Sequence, residues 1–187
     1  VDGVLDEPVW KQAALLTGFS EYQPADGRPA EDSTEVLVWY SPTAIYFGIR
    51  AFEPHGSVHA TLATRDHIQS DDNVQILLDT FNGHRQAATF GVNAFGVQSD
   101  GTLNEGSQQR NAGFSASAAS QSARDTVDLS ADFVYQSKGR LADYGYEVEI
   151  RIPFKTLRFQ PVEAQSWGIN VIRAVQHSGH EDSWAPA

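Results

Sequence analysis

The sequence predicts an all-β protein, a two-layer antiparallel β-sandwich preceded by a short helix, on three observations. Apolar residues alternate with period two in short runs, most clearly Val74-Gln75-Ile76-Leu77-Leu78 and Val148-Glu149-Ile150-Arg151-Ile152. Turn formers such as Ser41-Pro42 and Asn82-Gly83 separate these runs. Helix signals are confined to one stretch near the N-terminus and one short turn after residue 153.

Each element follows in order. Asp6 is the expected N-cap of a helix over Pro8–Ala14, with Pro8 in the first turn and Trp10 facing inward. Residues 20–34 hold Pro24, Gly27 and Pro29 and predict a surface loop. Thr34–Tyr40 and Ala44–Ala51 form an antiparallel hairpin through Ser41-Pro42. Residues 53–73 form a long connection. Val74–Asp79 pairs with Gln86–Asn93 through Asn82-Gly83. The Gly-, Ser- and Gln-rich stretch 101–122 predicts irregular structure. Asp132–Ser137 and Tyr144–Ile152 are strands flanking Lys138-Gly139-Arg140, a helical turn follows at Pro153–Phe159, and Gly168–Ala174 is a strand. Ser183-Trp184 opens the last.

Alternation assigns the faces. Val74, Ile76, Leu78, Ala88, Phe90, Val92, Val148, Ile150 and Ile152 point inward. Gln75, Leu77, Asp79, Thr89, Gly91, Asn93, Glu147, Glu149 and Arg151 point outward.

The chain has 187 residues, enough for one domain with a substantial core, and it is expected to be a single domain over 1–187. It contains no cysteine, which excludes disulfides and thiolate metal sites, and no methionine, which predicts a piece of a longer or processed chain. The formal charge is −11, with 24 acidic residues against 13 basic ones. A nucleic-acid binder needs a basic footprint, so nucleic acid is excluded as a partner. Anionic lipid surfaces are disfavoured for the same reason, and no apolar run is long enough to span a bilayer as a helix.

Several pieces in order carry a resemblance. They are Asp2-Gly3-x-Leu5-Asp6-Glu7-Pro8-x-Trp10, Tyr46-x-Gly48-x-Arg50-Ala51, Ser70-Asp71-Asp72-x-Val74, Leu78-Asp79-Thr80-Phe81, Val92-Asn93 and Gly96-Val97-Gln98. Ser137-Lys138-Gly139-Arg140, Glu149-x-x-Ile152-Pro153-Phe154-Lys155-x-Leu157-Arg158-Phe159 and Trp167-Gly168-Ile169-Asn170 continue the series. Together they resemble family 9 carbohydrate-binding modules, in the form that precedes an outer-membrane β-barrel in exported bacterial proteins. The resemblance implies an immunoglobulin-like antiparallel sandwich, often with structural calcium, that binds polysaccharide or oligosaccharide ends between aromatic platforms without catalysis. It also implies export to the periplasm, cell surface or exterior, and tethering to further domains. Three positions depart from the sugar binders of that family. Ile68 and Gln69 stand where a platform tryptophan is expected, Gln75 replaces a glutamate, and Gly91 replaces an arginine.

The candidate ligand residues are the aromatics Trp184 and Trp39 with the planar polar groups Gln75, Asn93, Asn170 and Arg173. Asp71, Asp72 and Asp79 are the candidate calcium ligands, since calcium gathers carboxylate and carbonyl oxygens. The rival readings are an accessory domain packing on a downstream barrel or partner protein, supported by outward Leu77 and Ile172, a haem-binding domain, and a glycoside hydrolase. The last would use Glu147 and Glu149, about 7 Å apart on one strand face. His177 and His180, three residues apart, fit a zinc site only weakly.

Overall fold

The computed structural model describes residues 1–104 and 127–185. The short strands β1 (Ala14–Leu16), β2 (Ser20–Gln23) and β3 (Arg28–Pro29) come first, followed by β4 (Thr34–Tyr40) and β5 (Ala44–Phe52). Then come β6 (Asn73–Asp79), β7 (Gln86–Asn93), β8 (Gln98–Asn104) and β9 (Val127–Asp128). β10 (Gln136–Ala142), β11 (Gly145–Pro153), β12 (Gly168–Val175) and β13 (His180–Ser183) complete the set. One sheet runs β1-β4-β5-β11-β10 and the other β3-β2-β13-β12-β6-β7-β8-β9. Every pairing is antiparallel, as predicted.

The two layers close on one core. Val36, Phe47, Ile49, Val148, Ile150 and Ile152 from the smaller sheet meet Val74, Ile76, Leu78, Phe90, Val92 and Val171 from the larger. Each is almost wholly removed from water, at about 1.5–3 kcal/mol per large aliphatic or aromatic side chain. The β4–β5 hairpin turns where predicted, with Ser41 Oγ accepting from the Thr43 and Ala44 amides.

Several local expectations need correction. The N-terminal helix is a five-residue 3-10 turn over Pro8–Gln12, with Glu7 rather than Asp6 at its cap, because β1 begins at Ala14. Residues 20–34 contain β2 and β3, which extend the larger sheet beyond β13. Gly101–Asn104 is the end of β8, and 105–122 of the predicted irregular stretch lies outside the described residues. The strand expected over Asp132–Ser137 is β10, which takes in Lys138-Gly139-Arg140 and turns at Asp143-Tyr144. The last strand ends at Ser183 instead of starting there.

Outward does not mean exposed in this fold. The N-terminal segment lies over the smaller sheet, where the Asp2 and Gly3 amides donate to Glu149 Oε2 and Leu5 and Trp10 pack on Leu37. Gly48 permits this approach, since a Cβ there would sit 2.8 Å from the Leu5 side chain. Glu149 is therefore buried, and Glu147 is buried against Arg140 and Tyr144. The connection 53–72 covers part of the larger sheet, where it meets Asn93, so Asn93 is buried; Thr89 is buried too. Ile172 shares the outer face with Gln75 in register but is only 4% exposed, which removes one of the two apolar positions offered for a docking role.

Candidate functional site

The outer face of the eight-stranded sheet is built by β6, β7, β8 and β12. Register puts Gln75 between Ile172 and Gly91, and Leu77 between Asn170 and Thr89. Strand parity obliges all of these to point away from the core side chains of the same strands. Two depressions mark the face. A trough of about 270 Å³ is lined by Ile68, Gln69, Gln75, Gly91, Ser99 and Leu129. A groove of about 450 Å³ runs past Leu77, His84, Arg85, Leu103, Gly168 and Asn170.

The trough exists because position 91 is glycine. A Cβ there would lie 3.1 Å from Ser99 O and 3.5 Å from Ile68 Cδ1, so a larger residue would fill the depression or push β8 away. Gln75 forms part of the trough lining, half-buried, and its amide has no hydrogen-bond partner among the described residues. A planar amide offers two donors and an acceptor, the equipment for reading sugar hydroxyls.

Asn170 lines the larger groove, but much of its capacity is taken. Its Oδ1 accepts from the Val171 and Ala185 amides, and its Nδ2 donates to Ser183 Oγ at 3.0 Å. It holds the end of the described chain against β12.

The other candidates are not gathered here. Asn93 is fully buried: its Nδ2 donates to Thr61 O and to Asp71 Oδ2, both at 2.8 Å, while its Oδ1 accepts from the Phe95 and Val97 amides. It closes the β7–β8 turn and fastens the covering connection. Arg173 points into the core opposite Val74, with 0% exposure. Its guanidinium donates to Ser33 O, Thr34 Oγ1, Phe52 O and Glu53 Oε1 at 2.8–2.9 Å. Neither can touch a ligand without leaving its pocket. Trp184 is half-buried against the core, its amide bonded to Val171 O. Trp39 lies on the opposite sheet, its ring centroid 5.2 Å from that of Tyr46 beneath the N-terminal segment. The two tryptophans cannot form one platform.

The aspartates meet a similar correction. Asp71 accepts from the Thr61 amide and hydroxyl and from Asn93, and Asp72 accepts from the His59 and Gln176 amides. Asp79 accepts from the Phe81 and His84 amides. Seven residues of β6 also separate Asp72 from the far end of the strand, about 20 Å, so one ion cannot take all three. These carboxylates fasten loops. A group with metal-like spacing lies elsewhere: carboxylate oxygens of Asp2, Glu7 and Glu149 fall within 4.8 Å of one another. One oxygen of each is engaged, by the Val4 amide, the Trp10 indole and the Asp2 amide respectively. The Val1 ammonium lies 3.8 Å from the Glu149 carboxylate, and calcium's oxygen preference also fits the donor set. Sequence inspection missed it because 142 positions separate Glu7 from Glu149.

Glu147 and Glu149 do not make an acid–base pair. Burial pushes the Glu147 carboxyl up, but hydrogen bonds from Tyr144 and Arg140 and the charges of Arg140 and Arg50 outweigh it and hold the group below its usual range. A general acid needs the opposite shift. His177 faces Asp32 at 3.2 Å and Glu53 at 3.5 Å, while His180 lies 4.0 Å from Glu31. The two imidazoles thus serve different carboxylates.

Comparison with known proteins agrees with this architecture. A family model described as "Carbohydrate family 9 binding domain-like" matches residues 1–185. No curated protein sequence matches the chain. A carbohydrate binding module family 9 from Caldicellulosiruptor kristjanssonii in complex with cellotriose superposes with a TM-score of 0.62 at 15% identity, covering 98% of this chain and 76% of that one. A second structure described in the same words, in complex with glucose, gives 0.61 at 15% identity, over 98% and 80%. At that identity the likeness is one of fold.

Proposed function

The chain belongs to the carbohydrate family 9 binding domain-like family, and from that premise we propose that it is a non-catalytic saccharide-binding module whose sheet-face trough around Gln75 receives a sugar. The half-buried, unpartnered Gln75 amide on a rigid sheet carries this reading. It points where a ligand can lie, and the backbone that presents it is hydrogen-bonded on both sides. The solved relatives bound to cellotriose and glucose support the ligand class. The engaged state of Glu147 supports a binding rather than a hydrolytic role. A shallow trough that displaces little water gives weak affinity.

We further infer export and tethering to other domains. Support comes from the order of motifs from Asp2-Gly3 to Trp167-Gly168, which resembles the form of the family that precedes an outer-membrane β-barrel in exported proteins. Cell fractionation of the native protein tests this, and recovery in the cytoplasm contradicts it.

Affinity electrophoresis through gels containing soluble glucans, with calorimetric titration of cellotriose, tests the binding role. The wild-type protein is expected to be retarded by at least one polysaccharide. Gln75→Ala is expected to bind about fivefold more weakly, the worth of one hydrogen bond of about 1 kcal/mol. Free migration through every polysaccharide would leave the module reading without support.

A further inference from the structure

A second aromatic cleft lies at the end of the sandwich, away from the Gln75 trough. One wall is the β4–β5 turn, with Tyr40, Ser41 and Pro42, and the other is the segment after β11, with Phe159, Glu163 and Trp167. Ile45 and Phe154 complete the lining, and the volume is about 530 Å³, within the range of small-ligand sites.

The two walls are built differently. Phe154, Phe159 and Trp167 form a contact triad, with ring centroids 5.6–6.5 Å apart. Gln165 braces it: its Nε2 donates to Gln160 O and Val162 O, and its Oε1 accepts from Trp167 Nε1 at 3.0 Å. The Trp167 ring is thereby held by Gln165 as well as by its packing on Phe154. Such a triad would serve well enough as a small satellite core. Tyr40 is not explained that way. It ends β4 with 73% of its surface exposed, belongs to neither hydrophobic cluster, and makes no ring contact among the described residues. Phe159 retains 38% exposure across the cleft. Glu163, exposed on the same wall, has no hydrogen bond or ion pair among the described residues.

Open aromatic faces beside an unpaired carboxylate suit a particular kind of molecule. A wholly apolar partner would strand the carboxylate away from water, which is costly. A pyranose has an axial C–H face to lay on a ring and equatorial hydroxyls at its rim to donate to a carboxylate. We propose that this cleft is a second saccharide subsite, in which a pyranose unit stacks on Tyr40 against the braced Phe159–Trp167 wall and donates hydroxyls to Glu163. The proposal rests on the module reading above and adds a separate contact point on another part of the surface.

Calorimetric titration with cellotriose, repeated for Tyr40→Ala, Glu163→Gln and Gln75→Ala, tests it, with intrinsic fluorescence as a second readout. Tyr40 is exposed, so its loss leaves the fold intact, which thermal unfolding verifies. The expected result is a tenfold or greater loss of affinity at one binding event in Tyr40→Ala, a smaller loss in Glu163→Gln, and retention of that event in Gln75→Ala. A cellotriose-induced fluorescence change that disappears in Trp167→Phe adds support. If wild-type protein binds cellotriose and Tyr40→Ala binds it identically, the cleft proposal is overturned while the module reading stands. If wild-type protein binds no saccharide at all, both fall together.

Discussion

Among single residues, Arg173 separates what the sequence discloses from what it conceals. Parity places it on the face of Val171, and Val171 is core, so the pattern itself points Arg173 inward. The usual exposure of arginine argues otherwise, and a ligand role followed. The structure honours the pattern, because Glu53 and three backbone or hydroxyl oxygens accept from both terminal nitrogens of the guanidinium out of water, while its Nε stays unpartnered. Removing one partner of such a pair leaves an uncompensated charge. Arg173→Met is expected to lose about 3–5 kcal/mol by urea unfolding, and Arg173→Met with Glu53→Gln to recover part of it. Opposite Arg173 in register, Asp182 is buried with Oδ1 unpartnered. Burial pushes its carboxyl up to about 6, against partial relief from Arg173 and His180. The folded chain therefore keeps this proton longer than the unfolded chain does. That contribution to stability is complete below about pH 4 and disappears as pH rises through about 6. Asp182→Asn abolishes the dependence. Relative to the parent it is expected to gain about 3 kcal/mol between pH 4 and pH 8 in urea unfolding. An unchanged difference between the variants across that range would contradict the assignment.

Among elements, legibility tracks the strength of the apolar alternation. β4, β5, β6, β7, β11 and β12 have it, and their bounds fall within about a residue of expectation. β10 reads Gln136-Ser137-Lys138-Gly139-Arg140-Leu141-Ala142, which has no apolar face because it is an edge strand beside β11. β2 and β3 form at the margin of the larger sheet, where pairing of β2 with β13 and of β3 with β2 overrides a proline- and glycine-containing stretch. What the strands could not disclose is the covering. The N-terminal segment and the connection 53–72 act by hydrogen bonds over long sequence separations, so Glu149 and Asn93 have the right parity and the wrong exposure. The covering also supplies the metal prediction. With Asp2, Glu7 and Glu149 brought together, millimolar calcium is expected to raise the melting temperature of the wild-type protein by a few degrees, and Glu149→Gln to lose that response. Equal responses in the two proteins would dissociate calcium from this strap. Substitution of Asp79, which ends β6 in the other sheet, should leave the response intact.

For the molecule as a whole, the consequence lies in the shared core. Val36, Phe47 and Ile150 from one layer and Val74, Phe90 and Val171 from the other belong to one buried cluster, so neither sheet can lose its partner and remain dry. A ligand held on the larger sheet must then stabilise both layers at once, since binding to the folded state alone shifts the entire unfolding equilibrium. At a free cellotriose concentration ten times Kd, the linkage relation gives about 1.4 kcal/mol. For a chain of this length that is a rise of about 3–6 °C in melting temperature. Scanning calorimetry should show one transition with and without sugar, moved as a unit. Two transitions, with sugar displacing one of them, would mean that the sheets unfold separately and that the single core does not govern stability. A Gln75→Ala, Tyr40→Ala double variant should keep the single transition and lose the displacement, because it removes the proposed contacts on the surface and none of the residues between the layers.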